Sequence, residues 1–364
     1  MSHARPHTGA SRVWTAALLG AITTLGAALR VYHLGYKSLW VDEANLYWIA
    51  QGTAADVIHA NAHGNSAPPL FALGLRLVQA FGESEAVLRS LSCVAGIAAI
   101  PVVYVLAREL LPPAAAAFAA FLVAVAPAQV GYAQQLREYS LAVLLTALLL
   151  FFFARFRRRP SVVHWLGLSL GLMIGVFTQY GVALVALSLN VIVALEWAAG
   201  TVPRQQLAWW AGAQLLGLLA TAAVYELSLR QHFSPGGFGA HYLAHGYWDG
   251  SLGSLSRLVA TNSSQLLSFA FPAPLLLLAL IVLGLLRINT EKVRLGGLLL
   301  IVPVAVTLGC AVLRFYPYLG QRQCIFLTVM LYVFAGFGFE TVRQLDRRGL
   351  VAVGLVLWMS YEGL

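Results

Sequence analysis

The sequence predicts an all-α polytopic membrane protein, on three observations. Hydrophobic residues make up 60% of the chain and charged residues 10%, with a mean hydropathy of +0.77. Soluble domains sit nearer half apolar and a quarter charged, so the solvent for this chain is largely lipid. Apolar runs of near-spanning length recur from end to end, and the basic residues fall in short clusters between them. The net charge of +9 therefore reads as topology signal rather than as a nucleic-acid footprint. Cys93, Cys310 and Cys324 lie in or at the ends of apolar segments without metal-type spacing, and read as small core residues.

Residues 1–12 are polar and basic, and 13–29 are apolar. Many spans follow and no small-residue cleavage site precedes a soluble domain, so this is a retained first helix rather than a signal peptide. Residues 31–85 form a long first extracytoplasmic loop. Within it 42–51 and 68–81 read as two amphipathic surface helices, with Pro68 and Pro69 in the first turn of the second. The stretch HANAHGNSA between them reads as a polar loop. Further spans are expected at 86–107, 114–130, 139–154, 162–179, 181–198, 207–228, 264–286, 295–313, 322–341 and 349–361, giving about 11 transmembrane helices. A second outer loop, 229–262, is rich in Gly, His and aromatics. No soluble C-terminal domain is expected.

With a cytoplasmic N-terminus, the clusters Arg155–Arg157–Arg158–Arg159, Arg287–Lys292–Arg294 and Arg343–Arg347–Arg348 all fall inside. The outer side carries scattered arginines, among them Arg89, Arg137, Arg314 and Arg322. Asp42 and Glu43 then face outward. Only 14 acidic residues occur in the chain, and adjacent carboxylates against a membrane invite a functional reading. Two roles suit them: general base toward an attacking hydroxyl, or ligand to a divalent cation on a phosphate leaving group. A solvated helix start is the plain alternative. The two project in different directions on a helix, so one faces the site and the other a cation, an arginine or water.

Arg137 lies in GYAQQLREYS beside Tyr132 and Tyr139, and Arg314 and Arg322 bracket RFYPYLGQR. A forked guanidinium matches phosphate geometry better than an ammonium does, so these outer arginines suit a lipid-linked phosphate. Ordinary headgroup contact is the alternative. His59 and His63 are four apart, as are His241 and His245, with Asp249 nearby. Gly and Pro around both pairs argue against a helical metal site. P-loop and HExxH motifs are absent from the sequence.

Taken in order, DE after the first span, the PPL helix start, GESEAVLRSLS, AVAPAQVGYAQQLREYSL and the Arg–Tyr-rich late outer turn resemble bacterial GT-C membrane glycosyltransferases. The resemblance runs over about residues 13–340. It points to the dolichyl-phosphate-mannose protein mannosyltransferase-like branch (glycosyltransferase family 39), with aminoarabinose and Rgt-type lipopolysaccharide sugar transferases. It implies an inverting glycosyltransferase of the cell inner membrane. The donor would be a polyprenyl-phosphate-linked sugar, the acceptor an envelope glycan, lipid or protein, at the extracytoplasmic face. Asp42 would be the base or metal-associated acid, with Glu43 its companion. Arg137, Tyr139, Arg322 and Arg314 would hold the donor phosphate, and Tyr47, His63, Tyr132, Gln135 and Tyr318 would line the substrate. A divalent metal (Mg, Mn or Zn) is a candidate cofactor, with Asp42, His63, His241 and His245 as candidate ligands. Relatives often carry His or Glu-Lys directly before PPL, where this chain has Asn65-Ser66-Ala67. Two other readings use the same features: a lipid-linked glycan flippase, which should place charges at midplane, and an O-antigen ligase or polymerase, which concentrates its key residues in a late outer loop.

Overall fold

The computed structural model describes residues 9–228, 230, 243–286, 291–346 and 349–363, and among them every regular element is helical. The first helix, α1 (Gly9–Val31), is followed by three short helices: α2 (Val41–Ile49), α3 (Ala54–Gly64) and α4 (Leu70–Gln79). Then come α5 (Glu85–Leu110), α6 (Pro113–Val125), α7 (Pro127–Ala133), α8 (Tyr139–Arg158), α9 (Val162–Thr178), α10 (Tyr180–Ala198) and α11 (Arg204–Leu227). The stretch expected as a second outer loop, 229–262, is helical from Leu252, and α12 (Leu252–Ala270), α13 (Pro274–Leu285), α14 (Glu291–Val312), α15 (Leu327–Leu345) and α16 (Leu350–Gly363) complete the described elements.

Each expected apolar run is helical in whole or in part, but the count of spans changes. Among the described residues six helices are long and apolar enough to cross a membrane, or up to eight if two bent pairs each count as one span. The expected span 114–130 breaks at Ala126–Pro127 with a bend of 55°, since Pro127 cannot donate to the preceding turn. The expected span 264–286 folds through 101° at Phe271–Ala273, where Pro272 and Pro274 flank the break. Helix α9 has 17 residues and α16 has 14, and α15 carries Glu340 and Arg343 near its end.

The polar stretch expected as a loop before PPL is instead mostly helix. Thr53 caps α3, its side chain accepting from Asp56 N–H at 3.3 Å while Asp56 Oδ2 accepts from Thr53 N–H at 2.8 Å. This reciprocal box begins a helix through HANAHG despite its polarity. Helix α4 starts at Leu70 with Pro69 as its cap.

The main core joins α5, α6, α8 and α15 with parts of α9, α10 and α13. Helices α13 and α15 approach closely at glycine: a Cβ on Gly338 would strike the Leu280 carbonyl. At the α1–α6 contact the fully buried Arg30 donates to the Val123 and Ala124 carbonyls at 2.8 and 2.9 Å, satisfying the end of α6 where Pro127 turns the chain. A smaller core of Leu46, Ile49, Val57, Phe71, Leu75, Leu88 and Leu136 fastens α2, α3 and α4 onto α5 and the α7–α8 connection. That second core decides where Asp42 lies. Arg155 and Arg158 pair with Glu109 at 2.7 and 3.4 Å, and Arg157 pairs with Glu196 at 2.7 Å. These pairs gather the expected cytoplasmic ends of α5, α8 and α10.

Candidate active site

The acidic pair sits in the first turn of α2, where the helix dipole favours negative charge. Its two members then part. Glu43 is fully buried and accepts from Arg89 Nε at 3.0 Å, Arg89 Nη2 at 2.7 Å and the Leu136 N–H at 2.6 Å. It also accepts from Trp40 N–H at 3.4 Å, closing the start of the helix. Arg89 in turn donates to the carbonyls of Leu34, Lys37 and Ser38 at 3.0, 2.7 and 3.2 Å. One buried ion pair thus ties the end of α1, α2, α5 and the α7–α8 connection together. Glu43 therefore has no face open to a substrate.

Asp42 points the other way. Its side chain is one-third exposed (33%), and Oδ2 lies 3.1 Å from Arg322 Nη1 and 3.9 Å from Arg137 Nη1. Asp42 and Arg322 are 280 residues apart in sequence. Arg322 is also 33% exposed, with its guanidinium 6.0 Å from the Trp40 ring centre and 5.9 Å from that of Tyr139. Arg137 is buried, 5.6 Å from the Tyr139 ring centre. Tyr132 meets Tyr139 edge-on at 5.0 Å and Phe269 at 5.9 Å. Asp42, Arg137, Tyr139, Arg322 and Tyr132 thus form one constellation, built from three separate connections.

Two charged groups of this neighbourhood stand out only in three dimensions. Arg89 reads in the sequence as one scattered outer arginine. Glu138 is buried, with Oε2 3.3 Å from Arg137 Nε. Burial disfavours the Arg137 charge, but Glu138, with Tyr139 and Asp42, outweighs burial and raises the Arg137 pKa. Arg137 is a permanent cation under a partly open carboxylate and a second, partly open cation.

Other expected site residues lie elsewhere. Arg314 is exposed, in the left-handed region (φ 63°), beside Tyr247 and without an ion pair to Asp42. Tyr318 is buried, its hydroxyl 2.9 Å from Ser263 Oγ and its carbonyl accepting from Asn262 Nδ2 at 2.7 Å, so it holds α12 in place. Tyr47 packs on the second core with its hydroxyl toward Glu83. Gln135 contributes its carbonyl to the Arg137 N–H at 2.8 Å, while the neighbouring Gln134 amide caps α1 by donating to the Leu29 and Tyr32 carbonyls at 2.9 and 2.8 Å.

Those expected metal ligands that are described do not converge. His63 is exposed and its Nδ1 lies 2.8 Å from the carbonyl of His59 on its own helix. His245 is exposed in the turn Ala244–Gly246, and His241 falls outside the described residues. Among the described residues no three His, Cys, Asp or Glu side chains form a metal-sized group. Asp42 faces two guanidinium groups instead of further ligands. The described residues therefore do not fit a metal at Asp42.

Residues 66–225 match the family described as dolichyl-phosphate-mannose-protein mannosyltransferase. No curated protein matches the chain in sequence. Among solved structures, the fold is similar to that of the Archaeoglobus fulgidus oligosaccharyltransferase crystallised with Zn and sulfate, with a TM-score of 0.62 and 14% identity over 95% of this chain and 52% of that one. It is similar to AglB of the same organism in complex with an inhibitory peptide and a dolichol-phosphate (0.61, 12% identity, 98% of this chain and 55% of that one). It is also similar to ArnT from Cupriavidus metallidurans bound to undecaprenyl phosphate (0.61, 16%, 96% and 62%). The chain spans roughly half to three-fifths of the length of these proteins. At these identities the likeness is one of fold: the chain is a multi-pass membrane protein folded like these solved structures, and its residues 66–225 carry the dolichyl-phosphate-mannose-protein mannosyltransferase match.

Proposed function

We propose that the protein transfers a sugar from a polyprenyl-phosphate donor to an envelope glycan, lipid or protein at the extracytoplasmic face of the inner membrane, with inversion at the anomeric carbon. The observation that carries this reading is the meeting of Asp42 with Arg322 and Arg137 at 3.1 and 3.9 Å. A carboxylate beside two guanidinium groups is what such a transfer needs. The acid takes the proton of the attacking hydroxyl, and the cations hold the phosphate that leaves. The solved relatives bound to dolichol-phosphate and undecaprenyl phosphate support a lipid phosphate as the shared ligand. The outer-face assignment rests on the arginine clusters gathered at the opposite ends of α5, α8 and α10.

In this reading Asp42 is the general base. Arg322, partly open, receives the donor phosphate and gives up its pairing with Asp42 as the phosphate arrives. Arg137 stays fixed beneath by Glu138 and supplies a second charge. Tyr139 and Trp40 hold the Arg322 plane by cation–π contact, each such contact contributing about 0.5–2 kcal/mol. Glu43 is a positioning residue: it fixes the first turn of α2 and thereby Asp42.

The test is sugar transfer by the purified protein in lipid vesicles, from polyprenyl-phosphate-linked sugars to extracted envelope glycans and lipids. Transfer is expected to persist in EDTA. Loss on chelation with recovery on adding Zn, Mn or Mg would move Asp42 from base to metal ligand.

A further inference from the structure

Behind Arg137 the structure holds a second polar group that phosphate binding does not use. Glu138 is 2% exposed and Gln179 is 5% exposed. Glu138 Oε2, Gln179 Oε1 and Gln323 Oε1 are all buried, and none has a hydrogen-bond partner. Arg137 Nε lies 3.3 Å from Glu138 Oε2 but out of line for a hydrogen bond, so that oxygen keeps its lone pairs. The three acceptors come from three connections, α7–α8, α9–α10 and α14–α15, and share neighbours. Gln179 Nε2 and Tyr316 OH both donate to the Gln323 carbonyl, at 3.5 and 2.8 Å. Tyr316 and Tyr180 each lie within electrostatic reach of Glu138.

Buried polar atoms are almost always paired, and an unpaired one costs about 1–3 kcal/mol. Three unpaired acceptors drawn from neighbouring connections, against one unpaired donor beside them (Arg137 Nε), mark a site completed by a ligand rich in donors. A phosphate cannot serve, since it brings acceptors and negative charge. A sugar ring can: each hydroxyl donates one hydrogen bond, and aromatic rings flank the place. Arg137 connects the two halves, with Nη1 toward Asp42 and Nε toward Glu138. A phosphate on the Asp42 side thus places its glycosyl group within reach of the acceptors.

We infer that Glu138, with Gln179 and Gln323, binds the hydroxyl groups of the donor sugar and sets which sugar the protein accepts. This rests on the donor reading above. Glu138 accepts from two ring hydroxyls or one, and the amides rotate to take the remainder. Arg137 then serves both halves, as phosphate cation and as the counter-charge of Glu138.

The experiment measures binding to the whole protein in detergent of two probes: a bare short-chain polyprenyl monophosphate, and the same lipid phosphate esterified with single hexoses and pentoses. Glu138→Gln is expected to weaken the best-bound sugar ester by about tenfold or more beyond any change in the bare phosphate, the loss of a charged hydrogen bond. Gln179→Leu touches neither Arg137 nor Asp42, and is expected to lower ester affinity in the same direction, and to change the order of preference among the sugars. Equal weakening of both probes by Glu138→Gln would mean that Glu138 acts only through Arg137, and the inference falls. So would wild-type protein that binds every ester as it binds the bare phosphate. If wild-type protein binds neither probe, the donor reading itself falls and takes this one with it.

Discussion

Asp42→Asn is expected to reduce sugar transfer by about 10²–10⁴-fold, the range that a positioned general base supplies, with little change in donor affinity or in melting temperature. Asparagine keeps the shape and can still accept from Arg322, but it cannot take a proton from a hydroxyl. The folded state should barely register the change. Asp42 and Arg322 are each one-third exposed, and ion pairs in that setting contribute only about 0–1 kcal/mol. Arg137 retains Glu138 as its counter-charge. Steady-state transfer, donor binding and thermal unfolding of the same preparation separate these terms. Full activity in the variant would remove Asp42 from the chemistry.

Arg89→Met is expected to do the reverse, collapsing stability before it touches chemistry. It removes five hydrogen bonds, two to Glu43 and three to carbonyls of 34–38, and leaves a fully buried carboxylate without its cation. Breaking a buried pair from one side costs about 3–5 kcal/mol, a large share of a typical folding free energy of about 5–15 kcal/mol. The visible result should be a sharp fall in melting temperature and in monodisperse yield. Glu43→Gln combined with Arg89→Met should recover part of that loss, because no uncompensated charge is left. An Arg89→Met protein that melts with the wild type would show that the pair does not hold α2, and the positioning role of Glu43 would go with it.

The contrast between these two substitutions bears on how adjacent carboxylates divide their work. On a helix, Asp42 and Glu43 point about 100° apart. One therefore enters the packing between α2, α5 and the α7–α8 connection, while the other stays at the opening. Burial fixes the first so that the second can be placed within contact distance of Arg322.

The sequence by itself determined the class of solvent, the positions of the apolar helices, the helix that begins at the acidic pair, and the arginines that stand as candidate partners for it. These are local or compositional facts: hydropathy, arginine clustering and proline placement are written within a few tens of residues. Tertiary structure alone decided which carboxylate is free, because that depends on Arg89, 46 residues away, and on the Leu136 amide, 93 residues away. It decided that Arg322 joins Asp42 while Arg314, only eight positions earlier, does not. It set how far two apolar runs bend at their prolines, by 55° and 101°. The helix through the polar stretch before PPL is local in origin, since Thr53 and Asp56, three residues apart, cap its start. Glu138 shows the limit most plainly: in the sequence it is one acid beside an arginine. Its meaning comes from burial and from unpaired oxygens contributed by two other connections, and no local pattern encodes which distant groups will share a buried space.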